Sequence, residues 1–189
     1  EKQGNLKSLR SQIEALRRSW DRHNFAYFME MGTGKTKVLI DNAAALYERD
    51  HIDGLLVVAP KSVCINWQRF EIPIHLPERI QHRVAFWRGS PNTTQAAAMK
   101  SVLAPGQHLD ILIMNTEALS LEKGVKFAEK FLLSHRAMFA IDESTSIKNP
   151  KAKRTKAAVK LGRLAQFRRI MTGSPVTKSP LDLYSQCEF

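Results

Sequence analysis

The chain has 189 residues, 43% apolar and 25% charged, a balance that suits one globular domain and excludes a disordered or fibrous polymer. No apolar run approaches the roughly 18 residues a membrane-spanning helix needs, and Cys64 and Cys187 stand too far apart for a zinc knuckle or a disulfide framework. Twenty-nine Lys and Arg against 18 Asp and Glu leave a net charge of +11, which favours polyanionic partners and says nothing of the fold.

In chain order, residues 7–20 carry Leu9, Ile13, Leu16 and Trp20 at helical spacings of three and four. A short apolar run follows at Phe25–Met29, then a glycine-bearing turn, then Val38, Leu39, Ala43 and Leu46 on a predicted helix over 35–48. Further buried-type strands are predicted at Leu55–Ala59, Val84–Trp87, Ile111–Met114, Met138–Ile141 and Arg169–Met171. Surface loops are expected at Gly89–Asn92 and Leu103–His108, and a helix over 152–166. Short buried strands alternating with helices predict a three-layer α/β domain on a mainly parallel sheet.

Residues 25–36 read FAYFMEMGTGKT and run straight into a helical pattern. Strand, glycine turn, Lys, Thr and helix in that order make a phosphate loop. Gly32 and Gly34 can take backbone angles closed to other residues, so that consecutive N–H groups wrap an anion. Lys35 would reach the β- and γ-phosphates of a nucleotide, and Thr36 would ligate Mg²⁺. Met29 stands where the general pattern has its first glycine, a departure from kinases and small GTPases.

Residues 138–143, MFAIDE, end an apolar strand in two carboxylates, expected beside the phosphate loop on a neighbouring strand. Asp142 would hold the magnesium that Thr36 shares, and Glu143 would orient or deprotonate the attacking water. The bland alternative is a pair of acids capping an exposed strand end. No Asn-Lys-x-Asp element for guanine occurs.

From Ser146 to Lys178 there are ten basic residues and no acid: Lys148, Lys151, Lys153, Arg154, Lys156, Lys160, Arg163, Arg168, Arg169 and Lys178. A field of one sign this dense suits a phosphate backbone, with a merely solvated face as the alternative.

Together these segments resemble the first motor domain of superfamily-two helicases, in particular the Swi/Snf-type double-stranded DNA translocases. MEMGTGKT is similar to their first motif, and VVAPKSVCINWQRFE (57–71) to the next, with Pro60, Ser62, Asn66 and Trp67 in matching places. IDESTSIKNP (141–150) resembles their acidic motif, except that Ser144 and Thr145 stand where the family has Ala and His. Either residue could instead cap the following turn. MTGSPVTKSPLDLYS (171–185) resembles the coupling motif, with Ser174 for its second Thr. Upstream, Leu9-Arg10-Ser11-Gln12 resembles the element whose glutamine reads adenine.

The resemblance implies a RecA-like fold with ATP and Mg²⁺ as cofactors, and a nucleotide site made of Gln12, Met31, Gly32, Thr33, Gly34, Lys35 and Thr36. It implies that Thr172, Gly173 and Ser174 relay the state of the γ-phosphate. Pro60, Lys61, Ser62, Asn115 and Thr116 would hold one strand's backbone, with Lys148 and Lys151 adding to the grip on duplex DNA. Trp67 reads as a core anchor, with stacking on a base as the alternative. The apolar-periodic end LDLYSQCEF carries no stop signal, so residues 1–189 are expected to be one domain cut from a longer polypeptide. A second RecA-like domain would then supply the arginine that stabilises the transferred phosphoryl group, and alone this fragment would hydrolyse little ATP. The scarcity of cysteine predicts a reducing compartment, hence a cytoplasmic protein (nucleoid-associated if bacterial, nuclear if eukaryotic) with no membrane partner. The competing readings are an RNA helicase, a restriction-type motor, and a basic module with a non-hydrolysing nucleotide site.

Overall fold

The computed structural model describes residues 10–104, 106–176 and 180–189; Leu9 and Lys178 lie outside them. Helix α1 (Arg10–Ser19) leads into β1 (Asn24–Phe28), α2 (Lys35–Glu48) and β2 (Gly54–Ala59). One helical rod follows in three pieces: α3 (Lys61–Asn66), a π-helical turn (Trp67–Glu71) and α4 (Ile72–His75). Then come β3 (His82–Phe86), α5 (Thr93–Ser101), β4 (Leu109–Asn115), a 3-10 turn (Thr116–Ser120) and α6 (Glu122–Ser134). The chain ends through β5 (Ala137–Asp142), a 3-10 turn (Ser144–Ile147), α7 (Lys153–Gly162), β6 (Phe167–Thr172) and α8 (Asp182–Glu188).

The six strands form one sheet in the order β1-β6-β5-β2-β4-β3, and every pairing is parallel. Alternation along the strands splits the core in two. Leu55, Val57 and Ala59 of β2 join α2 and the Trp67–Ile72 segment on one face. Leu56 and Val58 join Phe131 of α6, and Ala158 and Leu161 of α7, on the other. This is the three-layer, mainly parallel architecture of a RecA-like phosphate-loop domain, as predicted.

The register places Phe28, Thr172, Asp142, Ala59 and Asn115 along one edge, the carboxyl ends of their strands. Crevices at such edges are where open α/β sheets bind ligands. The acidic strand does not neighbour the phosphate-loop strand, however: β6 pairs with both and lies between them. Strand order follows from long-range pairing, which apolar runs cannot rank.

Two local differences have physical causes. The helix predicted to 166 stops at Gly162, where Leu164 and Ala165 fold back to the carbonyls of Leu161 and Gly162. Helix α5 begins at a capping box: the Asn92 side chain accepts from Gln95 N–H and the Gln95 side chain from Asn92 N–H, a device worth about 1 kcal/mol.

Candidate active site

After β1 the chain turns through Glu30–Gly34 and enters α2 at Lys35. Gly32 and Gly34 hold φ of 76° and 81°, the left-handed region that side chains resist. A Cβ on Gly34 would strike the amide nitrogen of Gln12, whereas one on Gly32 would meet open space. Val38 N–H donates to Gly34 O at 3.1 Å, so α2 starts there and its first N–H groups open onto the loop. Lys35 folds back over the turn, its Nζ donating to Met29 O (2.9 Å) and Glu30 O (3.0 Å). The Thr33 hydroxyl donates to Glu30 O at 2.7 Å and closes the turn. Gln12 is buried, and its Nε2 donates to Thr33 O at 2.9 Å, which fixes the glutamine against the loop. Met31 is 84% exposed beside it.

The last residue of β5 is Asp142, 7% exposed. Its Oδ2 accepts the indole N–H of Trp67 at 3.0 Å, and its Oδ1 the backbone N–H of Glu143 at 3.0 Å. Burial pushes the carboxyl above the usual carboxylate range, the Trp67 N–H pulls it back, and the Glu143 charge raises it again. The Lys35 ammonium also lowers it. Phe28 pairs with Thr172 and Asp142 with Met171, so the phosphate loop and the acidic loop leave the sheet on either side of the end of β6. Glu143 takes φ 51°, a strained angle for a residue with a side chain. Its Oε2 accepts the Thr172 hydroxyl at 3.3 Å, and Thr172 Oγ1 accepts Ser174 N–H at 3.2 Å. Gly173 abuts Met31 and the carbonyl of Met29. Three loops from three successive strands of the sheet therefore meet at one place.

The donor set fits an ATP–Mg²⁺ complex. Two left-handed glycines and an ammonium suit phosphates, and the Thr36 hydroxyl with the Asp142 carboxylate offers the hard oxygens magnesium takes.

The other predicted residues spread along the same edge. Pro60 caps α3, leaving Lys61 and Ser62 exposed. Asn115 Oδ1 caps the following turn by accepting Ala118 N–H at 3.2 Å. Thr116 turns inward: it is 4% exposed and its hydroxyl is buried against the body of the domain, so its side chain does not present to a phosphate backbone. Lys148 Nζ lies 4.0 Å from Asp182 Oδ2, and Lys151 is exposed. Arg169 departs from the predicted basic field altogether. It is 0% exposed, with Nε donating to Asn42 Oδ1 (2.9 Å) and Nη2 to Ser19 O (2.9 Å). Arg168 donates to Asn24 Oδ1 (2.7 Å) and Phe189 O (2.6 Å). Alternation on β6 turns Arg169 inward, and it tethers α1 and α2 rather than facing a ligand.

Sequence reasoning missed two partners. Trp67 is a core anchor, 0% exposed, but its polar tip holds Asp142. A buried indole needs an acceptor, and that need was the available signal. Ser144 does not cap the turn after it; its hydroxyl donates to Gln186 Oε1 at 2.6 Å, and Gln186 Nε2 donates to Pro175 O at 2.9 Å. The acidic motif is thus bonded to α8 through a glutamine no local pattern marked.

The sequence profile of the SNF2-related domain matches residues 12–189, nearly the whole chain. The chain belongs to that family. It is 31% identical over 160 residues to the SWI/SNF-related matrix-associated actin-dependent regulator of chromatin subfamily A-like protein 1 of Bos taurus, covering 83% of this chain and 14% of that protein. To the Zorya protein ZorD of Escherichia coli it is 28% identical over 173 residues, covering 85% of this chain and 15% of that protein. Such SNF2-related relatives are far longer than this domain, which spans 12–20% of their length. In fold, it superposes on the Sulfolobus solfataricus SWI2/SNF2 ATPase core in complex with dsDNA with a TM-score of 0.72 at 24% identity, covering 96% of this chain and 35% of that one. The UvsW helicase from bacteriophage T4 gives 0.67 at 12% identity, covering 97% and 59%.

Proposed function

We propose that this SNF2-related domain is the ATP-binding half of a motor that spends ATP to move along double-stranded DNA. The observation that carries the reading is the meeting of the Lys35 turn, the Asp142–Glu143 pair and the Thr172–Ser174 loop at one sheet edge. Lys35 exchanges its loop carbonyls for the β- and γ-phosphates, while Gln12 meets the adenine edge. Thr36 and Asp142 would hold Mg²⁺, which would neutralise charge on the phosphates. Glu143 takes a proton from the attacking water, held in place by Thr172. A second RecA-like domain in the same polypeptide adds the arginine that completes the site, so residues 1–189 alone bind ATP–Mg²⁺ weakly and turn it over little.

The choice of duplex DNA is supported by the exposed cations and by the Sulfolobus relative, whose structure contains dsDNA. On α7 and its C-cap, Lys153, Lys156, Lys160 and Arg163 recur at steps of three, four and three, and all four are exposed. The Asn66-Trp67 and Lys148-Asn149 pairs favour this branch over RNA helicases. Action on nucleic acid belongs in the cytoplasm, at the nucleoid, or in the nucleus. The test is ATP turnover by the polypeptide that contains this domain, with duplex DNA, duplex RNA or neither. Stimulation by DNA that is lost in Lys35→Ala is the expected result; stimulation by RNA alone supports the helicase reading, and no nucleotide effect on either supports a passive basic module.

A further inference from the structure

The geometry points to Trp67 as a positioning residue that ties the phosphate-contact turn at Pro60–Ser62 to the carboxylate of Asp142. This rests on the ATP-and-DNA reading above. It starts from Pro73, which lacks an N–H and whose ring would press on the carbonyl four residues back, at Arg69. The rod from Lys61 to His75 relieves that conflict by widening into a π turn. Ile72 N–H donates to Trp67 O, five residues away instead of four. The extra residue lets Trp67 and Ile72, five apart, both face the core on the side of Cys64 and Leu76.

Trp67 is thereby aimed through the core at the end of β5, and its indole N–H meets Asp142 Oδ2 at 3.0 Å. With Oδ1 taken by Glu143 N–H, the Asp142 carboxylate is fixed at both oxygens, and its remaining lone pairs are available to a metal. The same rod begins at Pro60, and Trp67 lies six residues beyond Lys61, about 9 Å along the axis. A helix is stiff over that length. A displacement of the turn by a DNA backbone therefore reaches Asp142 through one rigid element and one hydrogen bond, without crossing the sheet.

Two measurements test this. In the first, the affinity of this chain for a fluorescent ATP analogue is followed in EDTA and across a Mg²⁺ titration, in wild type and Trp67→Phe. The expected result is that the variant needs about tenfold more Mg²⁺ for half of the metal-dependent tightening. Its affinity in EDTA should stay near wild type, while its melting temperature falls by a few degrees, because the smaller ring leaves a cavity and Asp142 Oδ2 loses its donor. Equal losses with and without Mg²⁺, or an unchanged Mg²⁺ requirement, would overturn the proposal.

The second measurement keeps Trp67 and its bond to Asp142. With Trp20→Phe and Trp87→Phe, Trp67 is the sole tryptophan. Its emission should shift when Mg²⁺ joins bound ATP, and again when duplex DNA is added without nucleotide. Duplex DNA that binds, by anisotropy of a labelled strand, yet leaves the emission unmoved overturns the link. A chain that binds no duplex overturns the DNA reading instead, and the magnesium titration then decides the role of Trp67 by itself.

Discussion

The Thr172 hydroxyl donates to Glu143 Oε2 across 3.3 Å, joining the last residue of β6 to the acid that follows β5. Thr172 is buried and its neighbour Gly173 abuts Met31 of the phosphate loop. Under the proposed function, a shift of that loop on filling and emptying would pass, through these two residues, to the carboxylate proposed to handle the water. Glu143 makes this contact from a left-handed backbone angle, φ 51°, that residues with side chains resist.

That strain separates stability from catalysis. Glu143→Gly removes the side chain from a left-handed residue, which offsets the flexibility glycine adds to the unfolded chain. The domain should be as stable as wild type or up to about 1 kcal/mol more so, a rise in melting temperature of at most about 4 °C. Glu143→Gln keeps the strain and should match wild type in melting. Both variants should bind ATP, and in the complete polypeptide both should lose about 10²–10⁴ of turnover. A Glu143→Gly domain that melts well below wild type would show that the angle is not strained.

Gly34 and Gly32 make a second pair of opposites. Both have positive φ, so alanine at either should cost about 1–2 kcal/mol in backbone strain. Only at Gly34 does the new methyl strike Gln12, the residue proposed to read adenine. Gly34→Ala should therefore lose the preference for ATP over GTP along with affinity, while Gly32→Ala weakens both nucleotides together. Competition binding of ATP and GTP to the two variants checks this; equal loss of preference in both would remove Gln12 from the adenine edge.

Cys64 and Cys187 should differ in reactivity. Burial, with the charges of Glu117 and Asp142, pushes the Cys64 thiol up to about 12. It is therefore a thiol throughout pH 7–9, directed at the carbonyls of Pro60 (3.4 Å) and Ala59 (3.5 Å). Cys187 is exposed. A chromogenic thiol reagent at pH 8 should modify one cysteine in the folded domain and two after unfolding. Rapid modification of both in the folded state would mean that the β2–α3 corner opens.

Much of this was legible in the sequence, for reasons that differ between elements. All six strands could be found: β2, β4 and β5, buried on both faces, are continuous apolar runs, while the half-exposed edge strands β1 and β3 and the arginine-bearing β6 carry shorter ones. The phosphate loop could be found because its glycines sit between a strand and a helix. The placement of β6 between β1 and β5 was not legible, since any two buried parallel strands read alike. Nor was the bond from Ser144 to Gln186, which spans 42 residues between two ordinary polar side chains. The π turn was open to inference from Pro73, but its consequence for Trp67 depended on how the rod packs on the sheet.

The basic run from 146 to 178 looks uniform in sequence, and the fold divides it into two kinds of residue with opposite responses to mutation. Arg169 is interior: burial lowers its pKa, its partners are Asn42 and the carbonyls of Ser19, His23 and Arg168, and Tyr27 is close enough to raise it. Arg169→Met removes the charged donor from Asn42 Oδ1 and from these carbonyls, which keep the Tyr27 hydroxyl, Arg22 N–H and Arg168 N–H among them, and should destabilise the domain by about 1–3 kcal/mol, with no specific change in the salt dependence of DNA binding by the fraction that folds. Lys153, Lys156, Lys160 and Arg163 are exterior, and only Lys160 has an acidic partner under 4 Å among the described residues, Glu129 at 3.2 Å. Changing all four to Gln should move the melting temperature little, since exposed charges contribute little to stability. If α7 lies against a phosphate backbone, each cation removed from a phosphate lowers the slope of log affinity against log salt by about 0.9. A decrease of about two to three units is expected, because Lys160 is already partly neutralised. A slope identical to wild type would assign the row to solvent and leave the grip on DNA to Lys61, Lys148, Lys151 and the loops at the sheet edge.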